Sequence, residues 1–211
     1  MNELYLFGLF ALTSFLALLN PLGVAPVFMA LTTGMSPKYR RRTAFRASLT
    51  AFITLTIFAF AGQLLFKFFG ISVNGFRVAG GIIFFIMGFE MLNARISSIK
   101  YIEGEQALAS DDIGITPIGI PMLAGPGSIT NAIVLMQDAS TIQHKIILPI
   151  AIFIVILITY IALVGSGKVM KYLGETGNKI MLKLMGLIMM VIAVEFFFAG
   201  LKPIIQDIIF R

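Results

Sequence analysis

The residues best placed to do chemistry lie in positions 115–131, ITPIGIPMLAGPGSITN. There Pro117, Pro121 and Pro126, with Gly119, Gly125 and Gly127, interrupt an apolar run. Proline removes a backbone donor and clashes with the carbonyl four residues back. Glycine carries a helix penalty of about 1 kcal/mol relative to alanine. In hydrocarbon every freed N–H and C=O must find a partner, so a helix broken there is expected to line a cavity inside protein. A second stretch of this kind, LNPLGVAPVF, covers positions 19–28. Where a helix restarts after a break, its first N–H groups lack intrahelical partners and form the positive end of the dipole. Such an end suits a carboxylate, and the open carbonyls of the preceding half-helix suit an ammonium group or a small cation. Together the two ends fit a zwitterion such as an amino acid. Asn20, Ser128, Thr130 and Asn131 add side-chain donors and acceptors. Pro21, Pro26 and Pro126 mark the breaks, while Gly23, Ala25, Gly125 and Gly127 leave backbone accessible. For either break taken alone, a packing kink is the competing reading.

Such breaks need a bilayer around them. The 211 residues are 58% hydrophobic and 12% charged, with a mean hydropathy of +0.97. Soluble domains carry about 25% charged residues, so an all-α membrane protein is expected. Six apolar runs, at 4–31, 44–68, 78–92, 116–136, 146–164 and 180–201, are set against the ~20 residues a spanning helix needs. The first is over-long, as a segment with an unwound middle would be. The first charge is Glu3 and no basic residue precedes the first run, so that run should stay as a span and not be cleaved as a signal peptide. A polar stretch separates residues 1–95 from 116–211 and predicts a solvated linker over 96–115.

Basic residues predict orientation. Eleven of the sixteen fall on the loops after the first, third and fifth runs or at the adjoining ends, led by the PKYRRR cluster at 37–42. That excess marks the cytoplasmic face, placing both termini on the extracytoplasmic side of the cell (inner) membrane. The net charge of +6 is explained by these loops, with no nucleic-acid partner implied.

A shift of 105 residues, without gaps, places Pro21 on Pro126, Gly62 on Gly167, Gly81 on Gly186 and Glu90 on Glu195. Each half then holds three spans, and an odd number inverts the second half. Two three-helix repeats with inverted topology and broken first and fourth helices are the plan of many secondary transporters. Glu90 and Glu195 sit within apolar runs, where an ionised carboxylate costs about 3 kcal/mol even on lenient scales. They are candidates for proton coupling, with snorkelling toward Arg95 and Lys202 as the rival role. The twelve methionines are read as adaptable packing, and His144, beside Lys145 in an expected loop, as neither ligand nor base.

Enzymatic function finds no support in the sequence. Cysteine is absent and the single histidine lies outside the spans, so Ser128 has no base to activate it. No metal set and no phosphate-binding loop is present, and no cofactor is expected.

Asn20-Pro21-x-Gly23-x-x-Pro26-x-Phe28 in the first run, Ile120-Pro121-x-Leu123-Ala124-Gly125-Pro126-Gly127-Ser128-Ile129 in the fourth and the 3+3 layout resemble the MarC family over almost the whole chain. That family belongs to a wider group resembling the LysE amino-acid exporters. It includes an archaeal transporter of glycine and alanine. The resemblance implies a secondary carrier of small neutral amino acids working by alternating access. It makes Asn20, Pro21, Gly23, Pro26, Gly125, Pro126, Gly127, Ser128 and Thr130 the expected substrate site, with Asn131 beside them. Gly125 stands where the repeat would place a second Asn20, so the two half-sites should differ. Export of another small metabolite or ion, and a non-transporting scaffold, are the alternatives. Oligomers are compatible with the small-residue run Ala79-Gly80-Gly81.

Overall fold

The structure, a computed structural model, describes residues 2–93 and 112–209. The expected linker over 96–115 therefore lies outside the described residues from 96 to 111, and residues 112–115 are already helical. Among the described residues seven helices follow one another: α1 (Asn2–Leu19), α2 (Pro21–Leu31), α3 (Pro37–Phe69), α4 (Val73–Leu92), α5 (Gly114–Leu123), α6 (Pro126–Asp138) and α7 (Ile142–Ile209). The described residues contain no strand. α1 and α2 together make one apolar span over Glu3–Leu31, and α5 and α6 make another that bends by 59°.

The first break has a local cause. Proline at 21 has no N–H to give to the carbonyl of Ala17, and it excludes ordinary helical geometry from the residue before it. Asn20 accordingly takes a left-handed conformation, φ 41° and ψ 67°. In the fourth span the residues before Pro117 and Pro121, Thr116 and Ile120, are extended, near φ −133°. The α5 winding between them is wide, and Ala124 N–H reaches back five residues to Gly119 C=O at 2.9 Å. α3 ends as its sequence suggests, on Gly70 at φ 63°, the left-handed position glycine takes at least cost.

The run from Ile142 to Ile209 is one stretch of helical winding, where the sequence predicts a loop over 165–179. A straight helix would put Ile147 and Phe196 about 70 Å apart. Yet a Cβ on Gly8 would touch Ile147, and one on Gly127 would overlap the Phe196 ring. Gly8 and Gly127 are joined by less than two turns of α1, one Asn131–Ser14 hydrogen bond of 3.0 Å and about one turn of α6. That path is far shorter than 70 Å, so the helical run folds back between its two apolar spans, Ile142–Gly167 and Gly186–Ile209. The difference from expectation lies in the backbone winding between these two spans.

Contacts between helices give the direction of each span. α3 runs parallel to the fourth span, with Gly114 beside Thr43 and Arg46, Gly119 beside Thr50, and Gly62 beside Ile133. It runs antiparallel to the first part of α7, with Phe45 stacked edge-on to Tyr160 and Phe52 to Phe153. α4 runs antiparallel to the last part of α7. Gly81 meets Ala193 and Phe197, Gly88 meets Gly186 and Met190, and Gly200 meets Asn74 and Arg77. The described residues hold five apolar spans, or six if the bent pair α5–α6 counts as one span.

The core runs along α1, α2, α3, α5, α6 and the first part of α7. Phe15, Phe28, Leu55, Ile118, Leu123 and Ile152 are each fully buried there. The outer faces carry exposed Phe, Leu and Ile throughout, the surface expected of a bundle solvated by lipid tails. The chain is a multi-pass integral membrane protein.

Candidate functional site

The first break opens onto a cavity of about 340 Å³. Asn20 and Gly23 supply its polar rim from the break, and Val24 and Val27 continue its wall along α2. Met122 reaches it from the end of α5, and Phe84 from α4. Ile188, Met189, Ile192 and Phe196 close it from the last part of α7. Elements of both halves of the chain thus converge on Asn20.

Asn20 holds the break open from within. Its side-chain oxygen accepts from Gly23 N–H at 3.2 Å, and its carbonyl accepts from both Gly23 and Val24 N–H at 3.0 Å. The Gly23 N–H that a continuous helix would give to Leu19 C=O is thereby spent on Asn20. Gly23 is required there, because a Cβ at that position would overlap the Asn20 amide.

The second break is built differently. Ser128 Oγ accepts from Gly125 N–H at 3.0 Å and lies 2.8 Å from Leu123 C=O and 3.0 Å from Gly125 C=O, to one of which its hydroxyl donates. Residues Gly125, Pro126, Gly127, Ser128 and Thr130 are all buried. A Cβ on Gly125 would come 2.7 Å from the Phe84 ring, and one on Gly127 would overlap the Phe196 ring. These two rings, 6.1 Å apart, stand between the start of α6 and the cavity. Ser128 thus ties back the Gly125 N–H, and aromatic carbon covers the start of α6 on the side of this cavity. Glycine at 125 and 127 serves ring packing.

The remaining expected residues divide as follows. Pro21 and Pro26 are buried in α2 and shape the break without lining the cavity. Asn131 donates to Ser14 Oγ and ties α6 to α1. Thr130 Oγ1 is buried without a hydrogen-bond partner. Glu90 and Glu195 are both exposed on the outer faces of α4 and α7, and neither lines the cavity. His144 sits at the start of α7, 2.6 Å from Thr141 Oγ1 and edge-on to Phe7. Among the described residues no group of His, Asp or Glu could hold a metal ion.

Phe84, Met122, Met189 and Phe196 are cavity residues that motif reading passes over, since each is an apolar side chain among apolar neighbours of the same kind. One signal is available: the 105-residue shift that pairs the two glutamates also pairs Phe84 with Met189, and both line the cavity.

Comparison with known proteins agrees with the motifs at the breaks. A family model described as MarC family integral membrane protein matches residues 6–205. A UPF0056 membrane protein of Pyrococcus horikoshii is 37% identical, covering 92% of this chain and 91% of its own. One from Methanocaldococcus jannaschii is 37% identical, covering 91% and 94%. The UPF0056 membrane protein YvbG of Bacillus subtilis is 36% identical, covering 90% and 91%. No solved structure matches. On the family match and these relatives, the chain belongs to the MarC family of integral membrane proteins.

Proposed function

We propose that this protein is a secondary transporter of small neutral amino acids, glycine and alanine among them, that works by alternating access and has no enzymatic role. The observation that carries the reading is the cavity at Asn20. It lies at a break in a spanning helix, and Met122, just before the second break, helps to enclose it. In a bilayer, irregular backbone is tolerated where it lines a cavity or is buried in protein, and paired breaks of this kind recur at solute sites. The polar rim carries no charged side chain, which suits a solute with no net charge.

Two inverted three-helix halves would supply the motion, one rocking against the other around the site. Supporting this, the close approach of Gly81 to Ala193 and that of Gly88 to Gly186 interchange under the 105-residue shift. This is the pattern a two-fold axis between α4 and the last part of α7 would produce. The basic PKYRRR end of α3 would face the cytoplasm of a cell (inner) membrane.

Proton coupling through Glu90 and Glu195 would have to run along the outer face of the bundle, since neither reaches the cavity. Transport by Glu195→Gln is therefore expected to keep the wild-type pH dependence, measured as initial flux at a series of external pH values. A flattened profile would restore that glutamate to the coupling path.

The reading is tested by flux of radiolabelled glycine and alanine into proteoliposomes with unlabelled competitors. Saturable uptake inhibited by neutral amino acids is expected. Cation flux indifferent to amino acids would favour an exporter of another ion. No saturable flux of any small solute would favour a scaffold.

A further inference from the structure

Along the last part of α7, Leu184, Ile188, Val191, Glu195, Phe198 and Lys202 recur at alternating intervals of four and three residues. Such spacing keeps a stripe of side chains facing a single partner helix. Every member of the stripe points out of the bundle. The four apolar ones are 45–59% exposed, and Glu195 and Lys202 are exposed beside them. α4 occupies a different face of the same helix, meeting Gly186, Met190, Ala193 and Phe197. Of the five apolar spans, Gly186–Ile209, which carries most of the stripe, is the least buried inside the chain, at 11% against 44% for Glu3–Leu31.

Lipid tails suit an apolar stripe but not Glu195. It stands within the stripe, about 18 Å along the helix from Lys183 and about 10 Å from Lys202 at ~1.5 Å per residue. Hydrocarbon offers a carboxyl group no hydrogen-bond partner, and ionisable side chains within spans therefore face protein or water. None of the described residues hydrogen-bonds or ion-pairs with it. From these observations we infer that the stripe is the seam of a homodimer, in which the last part of α7 packs against the same helix of a second copy. Two copies with one orientation in a bilayer are related by a two-fold axis along its normal, so the two helices run parallel and in register. Glu195 then meets its equivalent at the same depth, and carboxyl-to-carboxyl hydrogen bonds satisfy both. A single polar position in an apolar seam fixes register and partner, and hydrogen bonds between helices hold such pairs together in lipid. A partner of different sequence would need its own polar group at this depth, whereas a second copy supplies one by symmetry. Gly80 and Gly81 are taken up inside the chain, against Pro126 and Ala193, and leave the seam to α7. Ile188 also lines the Asn20 cavity, so the second copy shields that stretch of its wall from lipid.

The chain has no cysteine, so a disulfide formed by a single-cysteine variant must join two chains. Val191→Cys and Phe198→Cys, on the seam, are oxidised with copper phenanthroline in native membranes beside Leu64→Cys, whose position on α3 is 71% exposed. Linked dimers of twice the chain mass are expected from both seam variants and not from Leu64→Cys. Adding Glu195→Leu to Val191→Cys is expected to slow the linking at least tenfold, while Glu195→Gln, which keeps a hydrogen-bonding pair, leaves it within about twofold. No linked dimer at 191 or 198, linking as fast at Leu64, or a linked product of another mass would overturn the inference. So would Glu195→Leu linking as fast as its parent, since the carboxyl pair would then not hold the seam.

Discussion

Asn20→Leu is expected to cost about 2–3 kcal/mol of stability and to abolish solute binding, whereas Asn20→Gly should lose the binding alone. The two effects separate because Asn20 does two things. Its backbone sits at φ 41°, a left-handed conformation that costs a side chain such as leucine roughly 1–2 kcal/mol. Its side chain caps the restart of the helix through Gly23 N–H, and losing such a cap costs about 1 kcal/mol. Glycine adopts positive φ freely and replaces a cap at a loss of only a few tenths of a kcal/mol. Asn20→Gly should therefore melt within a degree or two of wild type, as about 1 kcal/mol moves the midpoint by roughly 2–4 °C at this chain length. Its cavity would still lack the amide that faces the solute. Thermal melting in detergent alongside amino-acid binding reads both outcomes. Equal destabilisation by leucine and glycine would show that the backbone at 20 is not held left-handed.

Gly80→Val should lower the melting temperature by about 3–10 °C. A Cβ on Gly80 would overlap Cγ and Cβ of Pro126. Pro126 is a ring closed on the backbone at the start of α6 and cannot swing aside. Overpacking of this kind costs about 1–3 kcal/mol, and the separation it forces would also pull Phe84 away from Gly125. Gly165→Ala provides the internal control. Nothing lies within 4 Å of a Cβ there, and alanine in a helix is favoured over glycine by about 1 kcal/mol, so that variant should melt unchanged or slightly higher. Similar melting of both variants would contradict the α4–α6 contact.

The parts of the structure legible in the sequence are those set by backbone chemistry. Asn20-Pro21 and the three prolines from 117 to 126 announce breaks because proline's missing donor acts wherever it stands. The apolar spans follow from apolar length. What is illegible depends on which side chain faces which. Phe84 sits in IIFFIM and Phe196 in EFFFAG, where neighbouring phenylalanines are indistinguishable until the helix is rotated against its partners. Those two rings decide that the second break is covered while the first is open. Glu90 and Glu195 stand out by chemistry, yet their exposure is a matter of helix rotation, which apolar runs on all sides do not specify. The stretch after Gly165 reads as a loop because its glycines and lysines interrupt the apolar run. Helical winding persists through it, since glycine's penalty of about 1 kcal/mol is small against packing at both ends.

Absence of cysteine from the chain permits the most direct test of the central claim, that the Asn20 cavity binds a neutral amino acid. Met189→Cys places a single thiol on the cavity wall, and Leu64→Cys places one on the outer surface. The rate of labelling by a small thiol reagent is measured against rising amino-acid concentration. The predicted result is saturable slowing in the Met189→Cys protein, absent from Leu64→Cys and abolished when Asn20→Gly is added to the first. Labelling of the cavity-wall thiol at one rate whatever amino acid is present would contradict it.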